Sequence, residues 1–216
     1  MVPGDRTALE LTAWILILSA RFADAHSLLN EIGRQDAGSD AVRAYRGIAL
    51  LYQREYGPAV AELGAACAGS PQAWFTRTAL GQALFLEGDV TRALAEFDAV
   101  RLSAYDPFAA AEMDARFLAE AYALYARFRS GDTANAEAAL ERLQRLSQRQ
   151  FVPAVCFALA EVGRKRYPQA LQHLRVSAEN RESWYAQFRV DPFVDDVREH
   201  AQSLRHSARG FCDMTT

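Results

Sequence analysis

The chain has 216 residues, half of them hydrophobic, and a formal net charge of −3. This is enough apolar material for a sizeable core, and the low content of Gly and Pro favours a helix-rich protein. A weakly acidic chain lacks the basic surface that neutralises a nucleic-acid backbone, so we expect no nucleic-acid partner.

The N-terminal region has two interpretations. Residues 11–20 are strongly apolar and follow Arg6, as in a secretory signal peptide. Glu10 interrupts this region, however, and Phe22 stands in register with the repeats described next. The run is also shorter than the ~20 residues that cross a bilayer. We therefore expect the first helix of a repeat and no membrane partner.

Apolar and small residues recur along the chain at an interval of 34 residues. Alanines mark the interval most clearly, and they are Ala25, Ala59 and Ala93, then, after a short slip, Ala136 and Ala170. A period of this length is typical of helix–turn–helix arrays. It predicts five repeats, each with a first helix, a tight turn and a second helix. The predicted repeats cover residues 6–39, 40–73, 74–107, 117–150 and 151–184.

Turn residues lie where this frame requires them. Gly88 and Gly131 are each followed by an Asp that can cap the next helix, and residues 54–55 and 164–166 are in register with them. Residues 108–116 are extra, and they hold no Gly or Pro, so we expect them to be helical. The sequence predicts a single domain over residues 6–205.

The C-terminal residues 185–205 are predicted to form a capping helix. It starts at Asp191-Pro192, and its apolar residues Phe193, Val197 and Leu204 would seal the last repeat, as the end of an array requires. Residues 206–216 are predicted to be a disordered tail.

The second and third repeats resemble the tetratricopeptide repeat (TPR) family. The residues that carry the resemblance are Gly47, Ala59, Leu63, Ala66 and Pro71, then Trp74, Gly81, Ala93, Phe97 and Val100. In the other repeats Ala13, Leu124 and Ala158 replace the family's glycine. The resemblance covers residues 6–184 and implies an all-α, right-handed α-solenoid of about five repeats, with small residues where paired helices approach closely. The cap resembles the one that closes TPR modules of bacterial regulators.

The resemblance also implies an inner surface formed by the first helix of each repeat. Its predicted partner-binding residues are Trp14, Ile17, Leu18, Ile48, Leu51, Tyr52, Phe75, Gln82, Phe85, Leu86, Tyr125, Phe128 and Arg129. The same places are held by Leu118, Val152, Val155, Leu159 and Val162. This mostly apolar set suits a hydrophobic or amphipathic helix better than a chain-terminal carboxylate. The alternative is that a tight superhelix or self-association buries these residues.

The sequence contains no recognisable catalytic or phosphate-binding motif. We interpret His26, His173, His200 and His206 as exposed helix residues. Arginine and lysine residues at 142–166 alternate with Glu, which is typical of a solvated face. Cys67, Cys156 and Cys212 are too few and too scattered for a disulfide framework or a zinc site. We expect no enzyme activity, no metal, no cofactor and a cytoplasmic location.

Two functions remain open at this point. The size and the apolar inner surface are similar to those of TPR-class chaperones of type III secretion, which predicts a bacterial chaperone or adaptor that binds a client helix. The alternative is a scaffold or regulatory protein that assembles a signalling complex or a homodimer. Fold resemblance alone does not decide between them.

Overall fold

In a computed structural model, residues 6–36, 38–70, 73–102 and 110–203 are described. These residues form helices and contain no β-strand, which confirms the predicted all-α class. The long helices are α1 (Arg6–Leu18), α2 (Phe22–Gln35), α3 (Asp40–Tyr52), α4 (Tyr56–Gly69), α5 (Trp74–Glu87), α6 (Val90–Leu102), α7 (Ala110–Ser130), α8 (Thr133–Ser147), α9 (Ala154–Gly163) and α10 (Tyr167–Glu179).

The ten helices follow one another as five pairs, each joined by the same tight turn. In every turn one residue has a left-handed backbone, and these residues are Ala20, Arg54, Gly88, Gly131 and Lys165, with φ of 57°, 68°, 105°, 87° and 60°. The first three are 34 residues apart, and so are the last two. The period in the sequence is therefore also a period in backbone conformation.

The hydrogen bonds of these turns are also the same. The residue after each left-handed residue donates its N–H to a carbonyl five positions earlier, at 2.9 Å in all five cases. The pairs are Arg21 to Leu16, Glu55 to Leu50, Asp89 to Leu84, Asp132 to Arg127 and Arg166 to Glu161. This is the Schellman motif, which satisfies carbonyls that a helix end leaves unpaired. The turns predicted at residues 54–55, 88–89, 130–132 and 164–166 are confirmed.

The chain forms two compact units, Met1–Ala123 and Leu124–Thr216, with the boundary inside α7. In the first unit each helix from α1 to α6 contacts the next, and the first helices α1, α3 and α5 also contact one another in that order. The alanines of the 34-residue period are fully buried, at 0% exposure for Ala25, Ala59 and Ala93. Ala136 and Ala170 of the second unit are buried equally.

Two glycines of the first unit lie where paired helices approach closely. A Cβ added at Gly47 would lie 2.5 Å from Cγ of Leu63, and one at Gly81 would lie 2.6 Å from Cε1 of Phe97. The Phe97 ring is itself held by a stacked contact with Tyr122, with the ring centroids 6.0 Å apart. The close approach predicted at Gly47 and Gly81 is thus confirmed.

The residues after α10 close the second unit as predicted. Two 3₁₀ helices, Ser183–Arg189 and Pro192–Val194, precede a helical stretch over residues 195–203. Asp191 is fully buried and accepts the N–H of Phe193 at 2.8 Å, and the Phe193 ring contacts that of Tyr125 at 4.5 Å. Phe193 and Val197 are buried, which confirms their sealing role.

Some expectations fall outside the described residues. These are Leu204, the tail 206–216 with His206 and Cys212, and residues 108–109 of the extra segment. The rest of that segment, 110–116, is helical, because α7 begins at Ala110.

Candidate protein-binding site

A cluster of four aromatic side chains joins the first helices of three consecutive pairs in the first unit. We call Trp14, Tyr45, Trp74 and Phe75 the aromatic cluster. Trp14 of α1 packs edge-on against Phe75 of α5, with ring centroids 5.2 Å apart, and lies 6.3 Å from Tyr45 of α3. Trp74 lies 5.7 Å from Phe75. Because α3 lies between α1 and α5 in the order of contacts, the cluster spans three helices.

All four rings of the aromatic cluster are only partly buried. Edge-to-face aromatic pairs contribute about 0.5–1.5 kcal/mol each beyond their area burial, so the rings hold one another in place while part of each surface stays accessible. Burial raises the pKa of Tyr45, and the Glu10 carboxylate raises it further. Glu10 in turn pairs with Arg6 at 2.9 Å, which places a polar rim beside the cluster.

The predicted inner-surface residues of the first unit divide into two groups. Five are in the core, and they are Ile17, Ile48, Leu51, Tyr52 and Gln82, each at most 4% exposed. The other five are partly exposed, and they are Trp14, Leu18, Phe75, Phe85 and Leu86. The structure brings Trp14 and Phe75 together in the aromatic cluster. Only the partly exposed group can contact a partner without a change in helix packing.

In the second unit Tyr125 is buried, Phe128 is partly exposed and Arg129 is exposed. Burial raises the pKa of Tyr125 to about 12. Residues at the equivalent inner places are all buried, and they are Leu118 of the first unit and Val152, Val155, Leu159 and Val162 of the second. These side chains belong to the cores of the two units.

Sequence reasoning missed Tyr45 and Trp74 as members of the aromatic cluster. Tyr45 lies on the predicted first helix of its repeat, but one place away from those that the family resemblance assigns to the inner surface. The signal that was available is residue type, because large aromatic side chains on first helices are the residues that anchor interfaces most often.

One buried amide near this surface has no partner among the described residues. The Nε2 atom of Gln82 lacks an acceptor, although the residue is only 4% exposed. Gln82 is two helical turns from Phe75 on α5. A buried donor without an acceptor costs about 1–3 kcal/mol, so Gln82 is a weak point of the α5 packing.

A second apolar surface lies elsewhere on α1. Leu11 and Ile15 are 54% and 62% exposed and stand one helical turn apart. We call them the outer α1 face. They provide an internal comparison for the aromatic cluster, because Ile15 follows Trp14 directly in the chain and points about 100° away from it.

The expectation that the histidines are exposed is wrong for the three that are described. His26 hydrogen-bonds Gln53 at 2.7 Å, His173 packs on Phe157 at 5.6 Å and His200 packs on Tyr167 at 5.5 Å. Each finds a neighbour across a turn or on the adjacent helix, which buries part of the ring. Burial also lowers the pKa of His173.

Cys67 and Cys156 are buried, as predicted, and burial raises the pKa of the Cys67 thiol to about 11. Among the described residues no three His, Cys, Asp or Glu side chains gather as a metal site would require. Within the same ranges, no helix has both the length and the apolar composition to span a bilayer.

Comparison of the chain with protein-family models, with curated proteins and with solved structures finds no match. The argument for function therefore rests on the geometry of this chain.

Proposed function

We propose that this chain is a protein-binding module, a right-handed α-solenoid of TPR type that holds a hydrophobic or amphipathic helix of a client protein on its aromatic cluster. Five identical turns at the 34-residue interval support the solenoid. The close approaches at Gly47 and Gly81 support the TPR type. The chain would act in the bacterial cytoplasm as a chaperone or adaptor, with a type III secretion substrate as one client class.

The observation that carries this proposal is the partly exposed aromatic cluster across α1, α3 and α5. Binding energy at interfaces is concentrated in a few large, preorganised anchors, among which Trp and Tyr are enriched. The four rings are fixed by their mutual contacts, so little side-chain entropy is lost when a partner covers them. A helix with apolar residues three and four positions apart offers the complementary ridge.

A scaffold or homo-oligomer is the second candidate, and the outer α1 face favours it. Leu11 and Ile15 form an exposed apolar pair on the first described helix, and such a surface is normally covered in an assembly. In this function α1 would contact a second copy or a folded partner rather than a client helix.

The test begins with recovery of the client from the native host by affinity purification and mass spectrometry. Binding of the purified client is then measured by calorimetry for three proteins. They are the wild type, the cluster variant Trp14→Gln/Phe75→Gln and the control variant Leu11→Gln/Ile15→Gln. Circular dichroism and size-exclusion chromatography confirm that each variant is folded.

We expect the cluster variant to weaken binding by about 100-fold or more, because two anchors are lost, and the control to change it by less than about threefold. Unchanged binding by the cluster variant would refute the proposal. If instead the control loses binding, or converts a wild-type dimer to a monomer while the cluster variant does not, the scaffold function is the correct one.

A further inference from the structure

The second unit contains a basic cleft between the turns of its two helix pairs. Its volume is about 520 Å³, and the left-handed residues of both turns, Gly131 and Lys165, line it. Three further cations, Arg129, Arg164 and Arg166, belong to the same lining. We call this the turn cleft.

The cations of the turn cleft are not neutralised equally. Arg164 is held by Glu137 through two contacts of 2.5 and 2.6 Å and by Glu161 at 3.0 Å, so its charge is already satisfied. Glu137 is the one carboxylate among the described lining residues. The cleft therefore has four cations against one anion.

Two of these cations have no partner in the described part of the chain. The side chains of Lys165 and Arg166 make no hydrogen bond or ion pair there, and both residues are exposed. Arg129 has a longer contact of 3.4 Å with Asp196. The guanidinium of Arg164 also lies over the Phe128 ring, 5.2 Å from its centroid, which fixes one wall of the cleft.

We propose that the turn cleft binds a phosphate group. A dianion matches several cations better than a carboxylate with one charge, and guanidinium groups bind phosphate oxygens through charge-assisted hydrogen bonds. The positive end of α8 reaches the cleft at Thr133 and adds to the same potential. This site does not depend on the aromatic cluster or on the proposed client.

The surroundings of the cleft favour a compact anion over a nucleic-acid strand. A neighbouring cleft shares Arg129 and Lys165 but also contains Asp196 and Glu199. A phosphate backbone that continued past the turn cleft would meet these carboxylates, and like charges in proximity repel. One phosphate group fits the local charge pattern, whereas a row of them does not.

Calorimetry with inorganic pyrophosphate at constant ionic strength tests the proposal on the full chain. Lys165→Asn/Arg166→Gln removes both unpaired cations, and Asn tolerates the left-handed backbone at position 165. Arg142→Gln/Arg149→Gln removes the same charge from exposed positions outside the cleft. We expect saturable binding by the wild type, at least about tenfold weaker binding by the first variant, and less than about twofold change in the second.

Thr133→Glu provides a variant in which folding and binding are separated. A carboxylate at the first residue of α8 is favoured by the helix dipole, so stability should be kept or slightly raised while pyrophosphate binding is lost. Absence of saturable binding in the wild type, equal weakening in the two arginine and lysine pairs, or full binding by Thr133→Glu would each overturn the proposal.

A phosphoserine peptide and its unphosphorylated counterpart distinguish the sources of the phosphate group. Binding of the phosphorylated peptide more tightly than pyrophosphate assigns the cleft to a phosphorylated protein. The reverse order assigns it to a small phosphate compound.

Discussion

Replacement of Gly47 by Ala tests the helix packing most directly. A Cβ at this position would lie 2.5 Å from Cγ and 2.9 Å from Cδ2 of Leu63, and 3.1 Å from its backbone N. Cγ is a branch point rather than a flexible end, and Leu63 is fully buried, so relief requires a shift of α4 itself. Such overpacking costs about 1–3 kcal/mol.

The same substitution at Gly64 provides the matched control. Gly64 lies in the interior of α4, and a Cβ there would have no atom within 4 Å. Both substitutions gain about 0.8–1.0 kcal/mol of helix propensity, so this gain cancels in the comparison. We expect Gly64→Ala to stabilise the protein by about 0.5–1 kcal/mol and Gly47→Ala to destabilise it by up to about 2 kcal/mol.

Equilibrium unfolding in urea, followed by far-UV circular dichroism, measures both changes. The double variant Gly47→Ala/Leu63→Ala completes a cycle, because removal of the Leu63 branch leaves room for the new Cβ. Leu63→Ala alone should cost about 2–5 kcal/mol, and the double variant should be about 1–3 kcal/mol more stable than the sum of the single changes predicts. The close approach is refuted if Gly47→Ala stabilises as much as Gly64→Ala, or if the cycle is additive to within about 0.5 kcal/mol.

Three further substitutions test single interactions. Glu182→Ala removes the carboxylate that accepts the N–H groups of Ala154 and Val155 at 2.8 and 3.2 Å, and should cost about 1–2 kcal/mol in urea unfolding, whereas an unchanged midpoint would contradict this capping. Burial lowers the pKa of His173 below 6.5, so its stabilisation is present above about pH 6.5 and lost as the pH falls through that value. Between about pH 7.5 and 5.5 the wild type should therefore lose more stability than His173→Gln, and parallel curves would rule this out. Ala20→Gly should raise stability by about 0.5–1 kcal/mol, because Ala20 has φ of 57°, and a loss of stability would show that the turn tolerates Ala without strain.

The helices and turns were predictable because their signals are local. A Schellman turn involves six consecutive residues, and a 34-residue period repeats these signals five times. Even the turns at Arg54 and Lys165, which lack Gly, were located by register with Gly88 and Gly131.

The accessible part of the candidate site could not be predicted in the same way. Leu51 and Phe85 occupy inner-surface places in successive repeats, yet Leu51 is fully buried and Phe85 is partly exposed. The difference depends on how closely neighbouring helices pack, which is set by contacts distant in sequence. The Trp14–Phe75 contact has the same origin, since 61 positions separate the two residues.

The turn cleft shows how a repeated backbone allows local chemistry to vary. The Schellman turn needs only one left-handed residue, and Gly fills this position in α5–α6 and α7–α8. In α9–α10 the position is held by Lys165, although a non-Gly residue there costs about 1–2 kcal/mol. The cost is not offset by a contact that Lys165 makes, because its side chain has no partner in the described ranges. A cation that is strained, exposed and unpaired contributes nothing to the fold, and a bound anion would give it a role.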